Sequence, residues 1–365
     1  MRVGVLLSGG PAPGGHHVIA TLFDLLNGFG QLYGVMRGSE GLIAGDLHLL
    51  QKSEVDHYRL KGGFDLLKTR RRKIMPEDLD AIQKTIEKFK LDALVFIGGD
   101  DTATNAYRLS KEVITRIIHV PKTIDYDLAV PSFGFDTACD LISRLIRNLK
   151  VDAYSTGKYM HVLKLMGRDT SHITLECALR GRAHFALITE DLMHRKLTLT
   201  QVVDEILEFF KKRNKDYGVM LIPEGISLAL PELGESTALD SHGNVDLSGV
   251  ESHVKLMQHV QKRGAEKGIK VPLLRFGSFG YESRCADPTP HDLEYTRLLG
   301  IRAFQALLEK KTGVMVAEDG AHPIEKYMID DPKRGRVVAK VLVDLQGPKF
   351  LKYRAEQNEL LHQEV

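Results

Sequence analysis

The sequence predicts an α/β protein, two Rossmann-like three-layer domains with mainly parallel sheets. Three observations carry this. Short apolar runs alternate with longer amphipathic ones, glycine-rich turns join strands to helices, and the alternation restarts near residue 130. "VGVLLS" reads as the first strand and "GGHHVIATLFDLLNGFG" as a helix, with apolar residues at Val18, Ile19, Leu22, Phe23 and Leu26 and a closing glycine. "LYGVM" is the second strand. "PEDLDAIQKTIEKFKL" opens with proline and acids, as a helix start does, and leads into the buried strand "DALVFIGG". Helix "TATNAYRLSKEV", strand "IIHVP" and helix "DTACDLISRLIRNLKVDA" follow. The second round has strand "YMHVLKLM", helix "HITLECALRG", strand "FALIT", helix "LTQVVDEILEFFKKRNK" and strand "YGVMLIP". "SLALPELGESTALDSHGNVD" has turn chemistry and reads as an insertion or surface loop, and "RAEQNELLHQEV" as a solvated helix that frays.

A chain of 365 residues has room for two cores. With no apolar run near the ~20 residues needed to cross a bilayer, a membrane protein is not expected. The first residues read as a strand rather than a leader, which points to the cytoplasm. A net charge of +2 gives no general attraction to nucleic acid, although "KTRRRKI" packs five cations into seven residues. Cys139, Cys177 and Cys285 lie far apart and are expected as reduced, buried thiols.

Ligands of an open parallel sheet gather at the carboxyl ends of its strands, so the motifs at those ends come first. "SGGPAPGG", with Gly9 and Gly10, can bring backbone N–H groups close to an anion, or can be a tight strand-to-helix turn. In "IGGDDTATN", Asp100 is placed to hold magnesium in company with phosphate oxygens, while Asp101 and Thr102 could equally cap the next helix. "VPKTIDYD" offers Lys122 for phosphate and the acids Asp125 and Asp127, one of which could accept a proton from an alcohol; a solvated turn explains it about as well.

Together, and with "MGRDTSH", "PEG" and "GYESR" further on, these motifs resemble the phosphofructokinase family over nearly the whole chain. ATP-using members have glycine where Asp101 and Lys122 stand, so "GGDD" with "PKTID" resembles the pyrophosphate-dependent branch. A side chain at Asp101 would occupy the space of a nucleotide's α-phosphate, and the Lys122 ammonium would neutralise the short donor. The resemblance implies a Mg²⁺-dependent, reversible transfer from pyrophosphate to the C1 hydroxyl of fructose 6-phosphate. Asp125 would be the general base and Asp100 the magnesium ligand, with Asp127 assisting. Gly9, Gly10, Lys122, Arg71, Asp101 and Thr102 would meet the donor, and Thr123 would orient the hydroxyl. Met166, Gly167, Arg168 and Glu224 would hold the sugar, Arg168 also stabilising the transferred group. Tyr281 and Arg284 would form the 6-phosphate pocket, joined by Arg275 from a neighbouring subunit, which implies a homodimer or higher homo-oligomer with a shared active site. Residues 1–130 with part of 285–350 would form the donor domain and 131–284 the fructose 6-phosphate domain. One departure stands out: "GGFD" is followed by "LLKTRRRKI" where the branch has a small-residue turn and one arginine. Arg71 is the best match in register. A rebuilt loop would lower or abolish activity, leaving a non-catalytic regulatory subunit as the alternative; an ATP user with a tolerant pocket is a further one.

Overall fold

The computed structural model describes residues 1–234, 247 and 249–361. Its strands are β1 (Arg2–Leu7), β2 (Gln31–Val35), β3 (Leu47–Leu49), β4 (Ala93–Gly98), β5 (Arg116–Pro121), β6 (Tyr159–Leu165), β7 (Phe185–Ala186), β8 (Gly218–Pro223), β9 (Leu273–Phe279), β10 (Val314–Ala317), β11 (Gly320–Pro323), β12 (Met328–Asp331) and β13 (Gly335–Val338). Two compact units result. The first gathers Met1–Ala138 and Glu282–Val341; the second gathers the described parts of Cys139–Leu239, Val245–Tyr281 and Leu342–Val365.

The first unit is built on a sheet of order β11-β10-β5-β4-β1-β2-β3, parallel except at the β2–β3 and β10–β11 edges. Its central strand β4, "ALVFIG", is buried at every residue, as a strand covered on both faces must be. The antiparallel hairpin β12–β13 belongs to the same unit. The second unit is built on the parallel sheet β7-β8-β6-β9. Its core packs β6 and β8 against the helices Leu199–Arg213 and Ser252–Lys267 through Met160, Val162, Val202, Ile206, Met220 and Leu256.

Several expectations change. "FALIT" gives only the two residues of β7, because Thr189 already opens a helix, Thr189–His194, with acids in its first turn. The last helix, Pro348–Leu360, is not simply solvated: Phe350, Tyr353 and Leu360 are buried, and the Tyr353 hydroxyl donates to the Ala186 carbonyl at 2.6 Å while accepting from the Ala186 N–H at 3.1 Å. Residues 362–365 and most of the expected surface loop, 235–246, lie outside the described residues. The first unit extends past residue 130, since Gly134 and Thr137 donate backbone N–H bonds to the buried Asp292 carboxylate at 3.0 and 2.9 Å. Cys139 and Cys177 are buried, whereas Cys285 is exposed. Among the described residues no helix is long and apolar enough to cross a membrane.

Candidate active site

In the first unit β1, β4 and β5 are parallel neighbours, so their carboxyl ends lie side by side and present three motifs together: Gly9–Gly10, Asp100–Asp101 and Lys122–Asp127. Backbone bonds lock this edge. Ser8 N–H donates to the Ile97 carbonyl at 2.9 Å, and Lys122 N–H to the Gly98 carbonyl at 2.9 Å. The Lys122 side chain turns back over the glycine loop, where its ammonium donates to the Gly10 carbonyl at 2.9 Å. Gly9 adopts φ +82°, and a Cβ there would stand 3.4 Å from that ammonium. The loop therefore needs glycine at this position for its left-handed turn, while the lysine's approach alone would leave room for a Cβ.

Lys122 is buried, and its pKa is lowered to about 8, first by burial and then by the Arg284 guanidinium, with Arg71 adding to it. The unfolded lysine keeps its proton up to about 10.5, so the folded state is penalised below pH 8 and relieved between pH 8 and 10.5. Replacing Lys122 with Met should therefore stabilise the unliganded protein by about 3 kcal/mol at pH 7, an advantage that disappears above pH 10.5. Denaturant melts of both proteins across that range check it.

The helix Asp100–Glu112 begins at the first aspartate, with Gly99 as N-cap and no side-chain cap. The capping alternative for Asp101 and Thr102 is thus not realised. Thr102 is buried over Gly98, where an added Cβ would stand 2.2 Å from its hydroxyl. Asp100 is flanked by Lys340, Nζ to Oδ2 3.5 Å; Lys340 also stands 4.0 Å from Asp127 Oδ2. Asp101 pairs loosely with Arg334, Nη1 to Oδ1 3.9 Å. Thr123 accepts the Asp125 N–H at 3.0 Å. Burial, and then the neighbouring Asp125 and Asp100, push the Asp127 pKa up to about 7. Ionising Asp127 therefore costs stability as pH rises from 3.8 towards 7, and the corner holds more negative charge than Lys340 alone offsets.

In the "KTRRRKI" loop, Arg70 faces Glu40 at 3.5 Å and Arg72 pairs with the buried Asp78 at 2.6 Å. Arg71 is the one whose charge is felt at Lys122. Asn105 fastens the loop, accepting from Ile74 N–H at 3.3 Å and donating to the Arg72 carbonyl at 3.4 Å. Arg284, expected with the sugar phosphate, falls in the first unit: a Cβ on Gly10 would stand 3.0 Å from its guanidinium carbon. Lys340 and Arg334 had no sequence signal, lying on a short hairpin and its exit, more than 200 residues from the acids they face.

In the second unit β8, β6 and β9 are parallel neighbours whose carboxyl ends carry Glu224, Met166–Arg168 and Tyr281. Glu224 N–H donates to the Leu165 carbonyl at 2.8 Å and Met166 N–H to the Phe279 carbonyl at 3.2 Å. Gly167 sits at φ +131°, with the Thr170 carbonyl 2.5 Å from where a Cβ would be. Arg168 Nε donates to Asp169 Oδ2 at 3.0 Å. Tyr281 is exposed, and so is Arg275, on the edge strand β9 with its guanidinium 4.6 Å from the centre of the Tyr159 ring.

Among the described residues no three acid, histidine or cysteine side chains converge as a ready metal cage. Magnesium does not require one, since it keeps waters and uses one or two carboxylates with substrate phosphates. Two carboxylates, Asp100 and Asp127, face the same Lys340 ammonium at 3.5 and 4.0 Å, and oxygen donors of this kind suit such a hard cation.

The phosphofructokinase family model matches residues 2–307. The pyrophosphate–fructose 6-phosphate 1-phosphotransferase subunit beta 2 of Arabidopsis thaliana is 36% identical over 98% of this chain and 77% of its own. The pyrophosphate–fructose 6-phosphate 1-phosphotransferase of Entamoeba histolytica is 35% identical over 98% and 81%. Among solved structures, the pyrophosphate-dependent phosphofructokinase of Nitrosospira multiformis covers the whole of this chain and 92% of its own with a TM-score of 0.73 at 16% identity, a likeness of fold.

Proposed function

The chain belongs to the phosphofructokinase family, and from that premise we propose that it transfers a phosphoryl group from pyrophosphate to the C1 hydroxyl of fructose 6-phosphate, reversibly and with Mg²⁺. The observation that carries the reading is the buried Lys122 ammonium on the Gly9–Gly10 loop, beside a strand end that carries Asp100 and Asp101. Such a corner has charge for a short polyanion and side chains where a longer donor would need space.

Asp125 accepts the hydroxyl proton as the oxygen attacks, with the Asp125 backbone held on the Thr123 hydroxyl. Lys122, Arg71 and Arg284 balance the donor's charge, and the glycine loop lets its oxygens approach. Asp100 and Asp127 would hold Mg²⁺, which supplies charge neutralisation on the phosphates. Met166, Gly167, Arg168, Glu224 and Tyr281 bind the sugar phosphate in this reading. Arg275 serves a neighbouring copy in a homodimer or larger homo-oligomer; Leu273 and Phe276, exposed on the same edge strand, suit a covered edge. The cytoplasm is the compartment proposed, and the domains divide into donor and sugar parts.

Purified protein given fructose 1,6-bisphosphate, phosphate and Mg²⁺ should release pyrophosphate. No turnover in either direction would favour a non-catalytic subunit. Arg71→Ala should raise KM for pyrophosphate about tenfold, consistent with loss of one charge-assisted contact, and leave KM for fructose 6-phosphate unchanged. An unchanged pyrophosphate KM in initial-rate assays would remove Arg71 from the donor site.

A further inference from the structure

Lys340 reaches the acid corner from the strand exit that follows β13, and the backbone around it is fixed. Ala339 N–H donates to the Tyr327 carbonyl at 2.8 Å, and Val341 N–H to the Asp127 carbonyl at 2.8 Å. One residue further back, Val338 N–H donates to the Thr104 hydroxyl at 3.1 Å, which itself donates to the Asp100 carbonyl at 2.9 Å. The acids and the lysine are therefore parts of one hydrogen-bonded frame, and the ammonium spans carboxylates from two strand ends at 3.5 and 4.0 Å with only 15% of its side chain exposed. A lysine placed so is a poor neighbour for a free divalent cation, because like charges a few ångströms apart repel by several kcal/mol at the effective dielectric of a partly buried site, roughly 20. A magnesium–pyrophosphate complex carries net negative charge, and the same ammonium attracts it.

We propose that Lys340 is a positioning residue that stands in for the metal on Asp100 and Asp127 in the unliganded enzyme, so that Mg²⁺ is admitted with its pyrophosphate rather than alone. This deepens the donor reading and rests on it. The test is Mg²⁺ binding to the full chain without substrates, by calorimetry, in the native protein, Lys340→Met and Lys340→Arg. Lys340→Met should bind Mg²⁺ alone roughly tenfold tighter or more, while Lys340→Arg, which keeps the charge, should stay within about twofold of the native protein. Equal Mg²⁺ affinity in Lys340→Met and the native protein, both folded by circular dichroism, would overturn the proposal. Should Lys340→Met not fold, Mn²⁺ titration of the native protein followed by electron paramagnetic resonance decides: weak binding without pyrophosphate supports the proposal, and micromolar binding overturns it. Turnover with pyrophosphate is a separate readout. Its absence beside a clear affinity difference would sink the donor reading alone, and its presence beside no difference would sink only the role of Lys340.

Discussion

Asp125→Ala should lower kcat by roughly 10²–10⁴-fold, the usual contribution of a positioned general base, with fructose 6-phosphate binding nearly unchanged. Asp125 follows Lys122 on the strand-end turn of β5, and its backbone is fixed on the Thr123 hydroxyl, itself on a residue whose carbonyl accepts from Ser132 at 3.0 Å. Neither of these bonds involves the carboxylate. Met166, Gly167, Arg168 and Glu224, proposed to bind the sugar, belong to the other unit and should be unaffected. Comparing kcat with the fructose 6-phosphate dissociation constant from thermal shift separates a chemical role from a structural one. Full activity in this variant would refute the assignment, and loss of sugar binding in parallel with activity would make Asp125 a fold residue.

The second large effect concerns donor choice. Replacing Asp101 and Lys122 together by glycine should lower kcat/KM for pyrophosphate roughly 10²–10³-fold, through loss of a desolvated charge-assisted contact, and should admit measurable ATP turnover. Arg334 refines the reason. Because it stands 3.9 Å from Asp101, the proposed bar to a nucleotide would be a carboxylate backed by a guanidinium, more an occupied volume than a bare negative charge. With Asp101 gone, Arg334 would still face Asp331 at 3.8 Å, and its positive charge beside the vacated volume favours the switch. Donor preference unchanged in the double variant would count against the steric account.

Much of this site was legible in the sequence because parallel strands end on one edge. Once "VGVLLS", "LVFIGG" and "IIHVP" are read as strands of one parallel sheet, the motifs at their carboxyl ends fall on one edge; the reach of the Lys122 ammonium to the Gly10 carbonyl is what the structure adds. Asp101 was ambiguous because an acid in the first turn of a helix and an acid capping it differ by only a residue or two of register; the structure starts the helix at Asp100, with Gly99 as N-cap two residues before Asp101. The nearness of the Arg284 guanidinium to Gly10 was not legible from its motif, which is far from the glycine loop in sequence. Lys340 and Arg334 were not legible at all. They sit on a two-stranded antiparallel hairpin and its exit, whose four-residue strands carry no strong period, and their approach to Asp100 and Asp101 depends on long-range backbone bonds such as Val341 to Asp127. The "KTRRRKI" loop, which looked rebuilt, is tied down by Asn105, with two of its arginines engaged by Glu40 and Asp78.

The central claim is that Asp101 and Lys122 make pyrophosphate the donor. It is tested most directly by giving the native protein fructose 6-phosphate, Mg²⁺ and equal concentrations of pyrophosphate and ATP in one vessel, and following both donors by phosphorus NMR. Pyrophosphate should fall as fructose 1,6-bisphosphate rises, with ATP undiminished; ADP rising in step with product while pyrophosphate persists would contradict the claim.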